Sequence, residues 1–136
     1  MTLDPRSDLT RQWLRVAAED LRLAELANTA DPPLLSGVLY HCQQAFEKAL
    51  KGFLTWHSQP LRRTHDLIEL VSTCRQLDAT FAAMDQAADL VSPYGTAFRY
   101  PPIVVGPTDL DALEALDAAR DVLAFVLARL PAAVHP

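Results

Sequence analysis

Ten prolines punctuate this chain of 136 residues, and their positions do most to limit what it can fold into. They stand at 5, 32, 33, 60, 93, 101, 102, 107, 131 and 136. Proline locks φ, lacks a backbone N–H and clashes with the preceding turn, so helix interiors exclude it and the prolines mark gaps. The stretches between them have helical length and apolar residues at 3.6-residue spacing. A first helix is expected from about Asp8 to Asn28, with Trp13, Val16, Ala17, Leu23, Ala24 and Ala27 on its inner face. A second runs from about Leu34 to His57, with Leu35, Val38, Leu39, Cys42, Phe46, Ala49, Leu50 and Phe53 in its stripe. A third starts near Thr64, a candidate N-cap with Asp66 in the first turn, and continues to about Leu77. A fourth covers roughly Asp78 to Val91, and a fifth starts after Thr108 or Asp109 and ends before Pro131. No segment alternates with period two, and Pro101 to Val105 (PPIVV) reads as an extended loop. The expectation is one all-α domain over residues 1–136, an antiparallel four- to five-helix up-down bundle.

Composition excludes several classes of function. Half the residues are apolar and 21% are charged, which fits a folded protein rather than a disordered one. A net charge of −5 lacks the dense basic surface that duplex DNA requires, but leaves room for a local anion site. Cys42 and Cys74 lie in apolar helical contexts and read as buried thiols of a reducing compartment. The first residues, MTLDPRSDLTRQ, are too polar for a signal peptide, and no apolar run approaches the ~20 residues that span a membrane. The expected location is the cytoplasm, with no membrane contact.

Positive and titratable groups concentrate between Tyr40 and Leu67, which holds both lysines, Lys48 and Lys51, and three of the four histidines. On a helix, Tyr40, Gln44, Glu47 and Lys51 fall within about 60° of one another. That stripe lies opposite the apolar one, with Gln43 and Lys48 beside it. Tyr and Gln suit a contact surface that is partly apolar and rich in hydrogen bonds. Asp20 sits in the apolar arc of the first helix and needs a cationic partner, since an unpaired buried charge is costly. Lys48, Lys51 and Arg99 are the candidates. His65 can serve as general acid or base, or simply bond across a loop. Arg99 and Tyr100 occupy a proline-rich loop; Arg can grip phosphate and Tyr can stack on a base, or both can cover the bundle's end. No two histidines have metal-ligand spacing with a third donor, so neither a metal nor a cofactor is expected.

The run HCQQAFEKALKGFL (His41–Leu54), followed by THDLIEL (Thr64–Leu70) and later FRYP (Phe98–Pro101), resembles the HEPN domain. Trp13, Ala17, Asp20, Leu21 and Ala24 extend the resemblance to the first helix, so it covers nearly the whole chain. It implies a helical bundle that forms homodimers, binds nucleotide or RNA, and often pairs with a small nucleotidyltransferase in a toxin–antitoxin system. Many members are metal-independent ribonucleases that use an Arg followed four to six residues later by His. This chain departs from that pattern. Arg99 is followed by YPPIVVGP, and Arg62 and Arg63 precede His65 by only three and two residues.

Two classes of function follow. One is a dimeric nucleotide- or RNA-binding and interaction protein whose face comprises Tyr40, Gln43, Gln44, Glu47, Lys48, Lys51, Arg99 and Tyr100. The other is an endoribonuclease using a non-standard pair, Arg63 or Arg99 with His65.

Overall fold

The computed structural model describes residues 4–136. Its α-helices are α1 (Pro5–Thr29), α2 (Leu35–Trp56), α3 (Leu67–Leu77), α4 (Asp85–Val91) and α5 (Asp109–Leu127), and no strand occurs among the described residues. Short 3₁₀ turns precede and follow α4, at Ala79–Met84 and Ser92–Gly95. The three longest helices are α1, α2 and α5, as the proline spacing requires.

Local chemistry sets the helix ends. Asp4 caps α1, accepting from the backbone N–H and the hydroxyl of Ser7. Pro5 takes the first helical position, where no N–H is needed, so α1 starts earlier than expected. The cap of α3 is Asp66 rather than Thr64: its carboxylate accepts from Ile68 and Glu69 N–H groups. Thr64 instead accepts from the Asp66 N–H and donates to Glu69. Thr108 and Asp111 form a reciprocal capping box on α5. The expected fourth helix is split, because Asp78 caps the Thr80 N–H and starts a separate tight turn.

Helices α1 and α2 run antiparallel, with Arg6 against Trp56, Gly52 against Leu14, and Asp20 against Lys48. Gly52 permits the approach, since a Cβ there would lie 3.0 Å from a Leu14 methyl. The buried arc of α1 is Leu14, Ala17, Asp20 and Ala24, while Val16 and Leu23 are exposed. Assigning those two residues to the inner face was therefore incorrect; the helix rotates to seat its small residues on α2.

Helix α2 is the centre of the molecule and packs against α1, α3, α4 and α5. Its core side is Val38, Leu39, Cys42, Phe46, Ala49, Leu50 and Phe53, all buried. Because neighbours surround it, the opposite side is covered too. That overturns the expectation of a continuous surface stripe: Gln43, Glu47 and Lys51 are buried, at 0%, 3% and 7% exposure.

Candidate functional site

Three polar side chains on the hidden side of α2 form a closed network. Glu47 Oε2 accepts from Lys51 Nζ at 3.1 Å, one helical turn on. Glu47 Oε1 accepts from Gln43 Nε2 at 3.3 Å and from His65 Nδ1 at 2.8 Å. Gln43 Nε2 also donates to the His65 carbonyl at 3.1 Å, tying α2 to the segment before α3. Gln44 Nε2 completes the set by donating to Gln43 Oε1 at 2.7 Å. A buried carboxylate with three donors is well satisfied, which is what such a group requires. Its consequence lies at the surface. Glu47 fixes the ring of His65, whose side chain is largely exposed, and leaves Nε2 unengaged.

His65 opens onto a cleft of about 240 Å³ lined by Tyr40, Gln43, Gln44, His65, Ser92, Gly95, Thr96 and Arg99. Three segments meet there: the N-terminal half of α2, the approach to α3, and the chain that returns after α4. Gly95 sits against the Gln43 amide, where a Cβ would come within 3.3 Å. Ser92 Oγ accepts the Leu67 N–H at 3.1 Å, so it also orients the start of α3. Phe98 adopts φ 64°, a conformation rare for a residue with a side chain. This strained residue immediately precedes Arg99, whose guanidinium lies 3.9 Å above the Tyr40 ring. Such strain is characteristic of places where a side chain must be aimed.

A second ion cluster sits on another side of the same turns of α2, facing α1. Asp20 Oδ2 accepts from Lys48 Nζ at 2.6 Å, and Oδ1 accepts from His41 Nδ1 at 2.8 Å. Of Lys48, Lys51 and Arg99, it is Lys48 that meets Asp20. The histidine was not among them, although His41 and Lys48 stand two turns apart on one face. Tyr40 and His41 rings contact edge to face at 5.2 Å, linking this cluster to the cleft.

Sequence-derived candidates therefore separate. Tyr40, Gln44, His65 and Arg99 line one cleft. Gln43, although buried, lines the same cleft, whereas Glu47 and Lys51 stand behind it as support, too buried to serve as a contact face. Lys48 belongs to the Asp20 cluster. Tyr100 is 77% exposed, so it does not cover the bundle's end. Arg63 does not line the cleft, and its neighbour Arg62 pairs with Glu69 at 3.2 Å. Ser92, Gly95 and Thr96 were missed because small and hydroxylic residues near Pro93 look like an ordinary helix stop. Among the described residues no cluster of three metal ligands occurs, and no helix is long and apolar enough to cross a membrane.

Comparison with known proteins decides the family. The HEPN domain model matches residues 10–130. The chain belongs to the HEPN domain family. Two solved structures support the assignment. The crystal structure of TT1696 from Thermus thermophilus is 31% identical, with a TM-score of 0.78 over 89% of this chain and 98% of that one. ST0689, an archaeal HEPN homologue, is 25% identical, with a TM-score of 0.70 over 88% and 96% of the two chains. Among curated proteins no relative matches the sequence. In this HEPN domain the shared bundle accounts for the position of α2, and the cleft is built on α2's most polar turns.

Proposed function

We propose that this HEPN domain binds a nucleotide unit of single-stranded RNA, or a free nucleotide, in the cleft between α2 and the segment after α4. The observation that carries this reading is the Arg99 guanidinium stacked on Tyr40 at the mouth of a cleft lined by Gln44, Ser92, Thr96 and His65. Arg can pair with phosphate in a bidentate fork or stack its plane on a base. Hydroxyl and amide groups supply hydrogen bonds of both signs to a base edge. At about 240 Å³ the cleft is smaller than the ~300–1,000 Å³ of typical small-molecule sites, so it suits one base or one sugar-phosphate. A single arginine suffices for a local anion site on a chain whose net charge is −5.

Family membership supports the wider setting: a homodimer, paired with a small nucleotidyltransferase as a component of a toxin–antitoxin type system. The self-contact would use Tyr40 and Gln44, the half-buried members of the α2 stripe, with Lys48 beside them. Light scattering tests this, because a mass of one 15.0 kDa chain at micromolar concentration refutes the homodimer.

The binding test is anisotropy of a labelled single-stranded RNA, with a labelled nucleotide in parallel. Losing a stacking contact costs about 1–3 kcal/mol, so Arg99→Ala or Tyr40→Ala should weaken affinity by about tenfold. Unchanged affinity in both variants, with both probes, refutes the cleft as the site.

One observation favours a second reading, a metal-independent endoribonuclease. A carboxylate holds Nδ1 of His65, leaves Nε2 unengaged, and the residue lines the same cleft as Arg99. That arrangement suits proton transfer beside a bound phosphate. Incubation with total RNA in a chelator tests it; cleavage that survives His65→Ala removes the reading.

A further inference from the structure

Directly after Arg99 the chain displays six exposed large apolar residues within fourteen positions: Tyr100, Ile103, Val104, Val105, Leu110 and Leu113. Val104 is 91% exposed and Val105 78%, among the most solvent-facing of the large apolar side chains. Isolated exposed apolar residues are ordinary; a run of them marks a surface that is covered in use. Pro101, Pro102 and Pro107 restrict the backbone around the three β-branched residues. A surface restricted in this way loses less conformational freedom when it is covered.

Arg99 borders this patch at its start, and its flank along α5 is predominantly acidic. On a helix of 100° per residue, Leu110, Leu113, Glu114, Asp117 and Asp121 fall within about 100° of arc on α5. All five are exposed, and Asp109 precedes them at the loop junction. Arg120 is the sole cation of α5, and it is engaged with Glu25 at 3.7 Å and Asp117 at 3.8 Å. The patch is thus apolar at its tip and acidic along its flank.

We infer that the 100–113 segment is a docking surface for a partner protein that offers an apolar notch beside basic side chains. Charge selects this occupant over the alternatives. A second copy meeting the same patch about a two-fold axis would bring two acidic flanks together, and like charges in an interface are repelled. A nucleic acid backbone would be repelled by the same carboxylates. A basic protein surface gains on both counts, with apolar burial at the loop and complementary charge along α5. The inference does not depend on the ligand of the α2 cleft, because none of the residues from 100 to 113 lines it.

The test uses a defined probe, a 14-residue helical peptide of Leu and Lys with its leucines on one face, titrated against the full chain by fluorescence. A peptide with Glu in place of every Lys serves as control. The Lys peptide should bind and the Glu peptide should not. The double variant Val104→Ser/Val105→Ser should weaken binding at least tenfold, as should Glu114→Lys/Asp117→Lys. Reversing two charges on a different surface, Asp85→Lys/Asp89→Lys, should leave affinity within about twofold. Circular dichroism of each variant confirms that it is folded. The inference is overturned if the loop variant binds the Lys peptide as well as the parent does, or if the distant charge reversal has the same effect as the α5 one. It is equally overturned if the parent is a dimer in solution and Val104→Ser/Val105→Ser makes it monomeric, since the patch would then be a self-interface.

Discussion

Replacing Glu47 by Gln removes one charge from the interior and leaves the shape of the side chain almost unchanged. The carboxylate accepts from three donors: Lys51 at 3.1 Å, Gln43 at 3.3 Å and His65 at 2.8 Å. A Gln side chain has one oxygen and one NH₂ group, so at least one of these contacts becomes donor against donor. Lys51 then has no carboxylate, and the Trp13 ring, 5.8 Å from its Nζ, is the remaining favourable contact. At an effective dielectric of about 20, a unit pair at this separation attracts by roughly 5 kcal/mol before desolvation is counted. Breaking a buried pair from one side costs about 3–5 kcal/mol. The Lys51 side chain retains 9% exposure, which lets its ammonium lean toward water and puts the expected loss near the lower end, about 3 kcal/mol. A domain of this kind has only about 5–15 kcal/mol in total, so the effect is large. Urea unfolding followed by circular dichroism should show a lower midpoint with an unchanged slope. The double variant Glu47→Gln/Lys51→Met removes both charges and should return to within about 1 kcal/mol of the parent. A Glu47→Gln loss below about 1 kcal/mol, or a double variant as unstable as the sum of the singles, would refute the buried-pair reasoning.

Three further outcomes are expected. Burial pushes the thiols of Cys42 and Cys74 up to about 12, so neither should react with a thiol reagent at pH 8 until urea unfolds the chain; rapid native-state labelling would contradict their burial. Hydrogen bonds from Thr80 hold the Asp78 carboxyl below its usual value, with the Arg129 guanidinium assisting, so its contribution is present above the unfolded value of 3.8 and drains away as pH falls through the lower folded value; Asp78→Asn should flatten that acid limb in a pH series of unfolding midpoints, and an unchanged limb would refute it. Gly52→Ala should destabilise by about 1–2 kcal/mol despite alanine's better helix propensity, because its methyl would lie 3.0 Å from Leu14; thermal unfolding reads this, and a stabilised variant would show that α1 and α2 can separate freely.

Much of the architecture was legible because its signals are local. Proline cannot continue a helix wherever the chain goes, so the gaps followed from identity alone. The buried stripes of α2, α3 and α5 followed from 3.6-residue periodicity, which reflects the geometry of a single helix. Asp20 stood out by the same logic, as a charge inside an apolar arc. Val16 and Leu23 were misplaced because an alanine-rich helix has no strong apolar face. Its rotation depends on the fit against α2, where Leu14 is set against Gly52. Thr64 and Asp66 are both good caps, and only the path of the chain into α3 decides for Asp66.

The candidate site divides along the same line. Chain chemistry alone determined that an acidic protein would gather its lysines and most of its histidines around one helix, and it named Tyr40, Gln44, His65 and Arg99 individually. Tertiary structure decided which of these share a cleft. Periodicity records one apolar stripe on α2 and cannot register that a second side is roofed by the α3 approach and the turn after α4. Glu47 and Lys51 therefore read as surface charges, although they are an internal pair. Nor can spacing show that Phe98 turns the chain so that Arg99, far from Tyr40 in sequence, settles on its ring. Helix formation depends on residues three or four apart, whereas this site depends on residues from 18 apart, as Glu47 and His65 are, to about sixty, as Tyr40 and Arg99 are, and only the packed bundle brings them together.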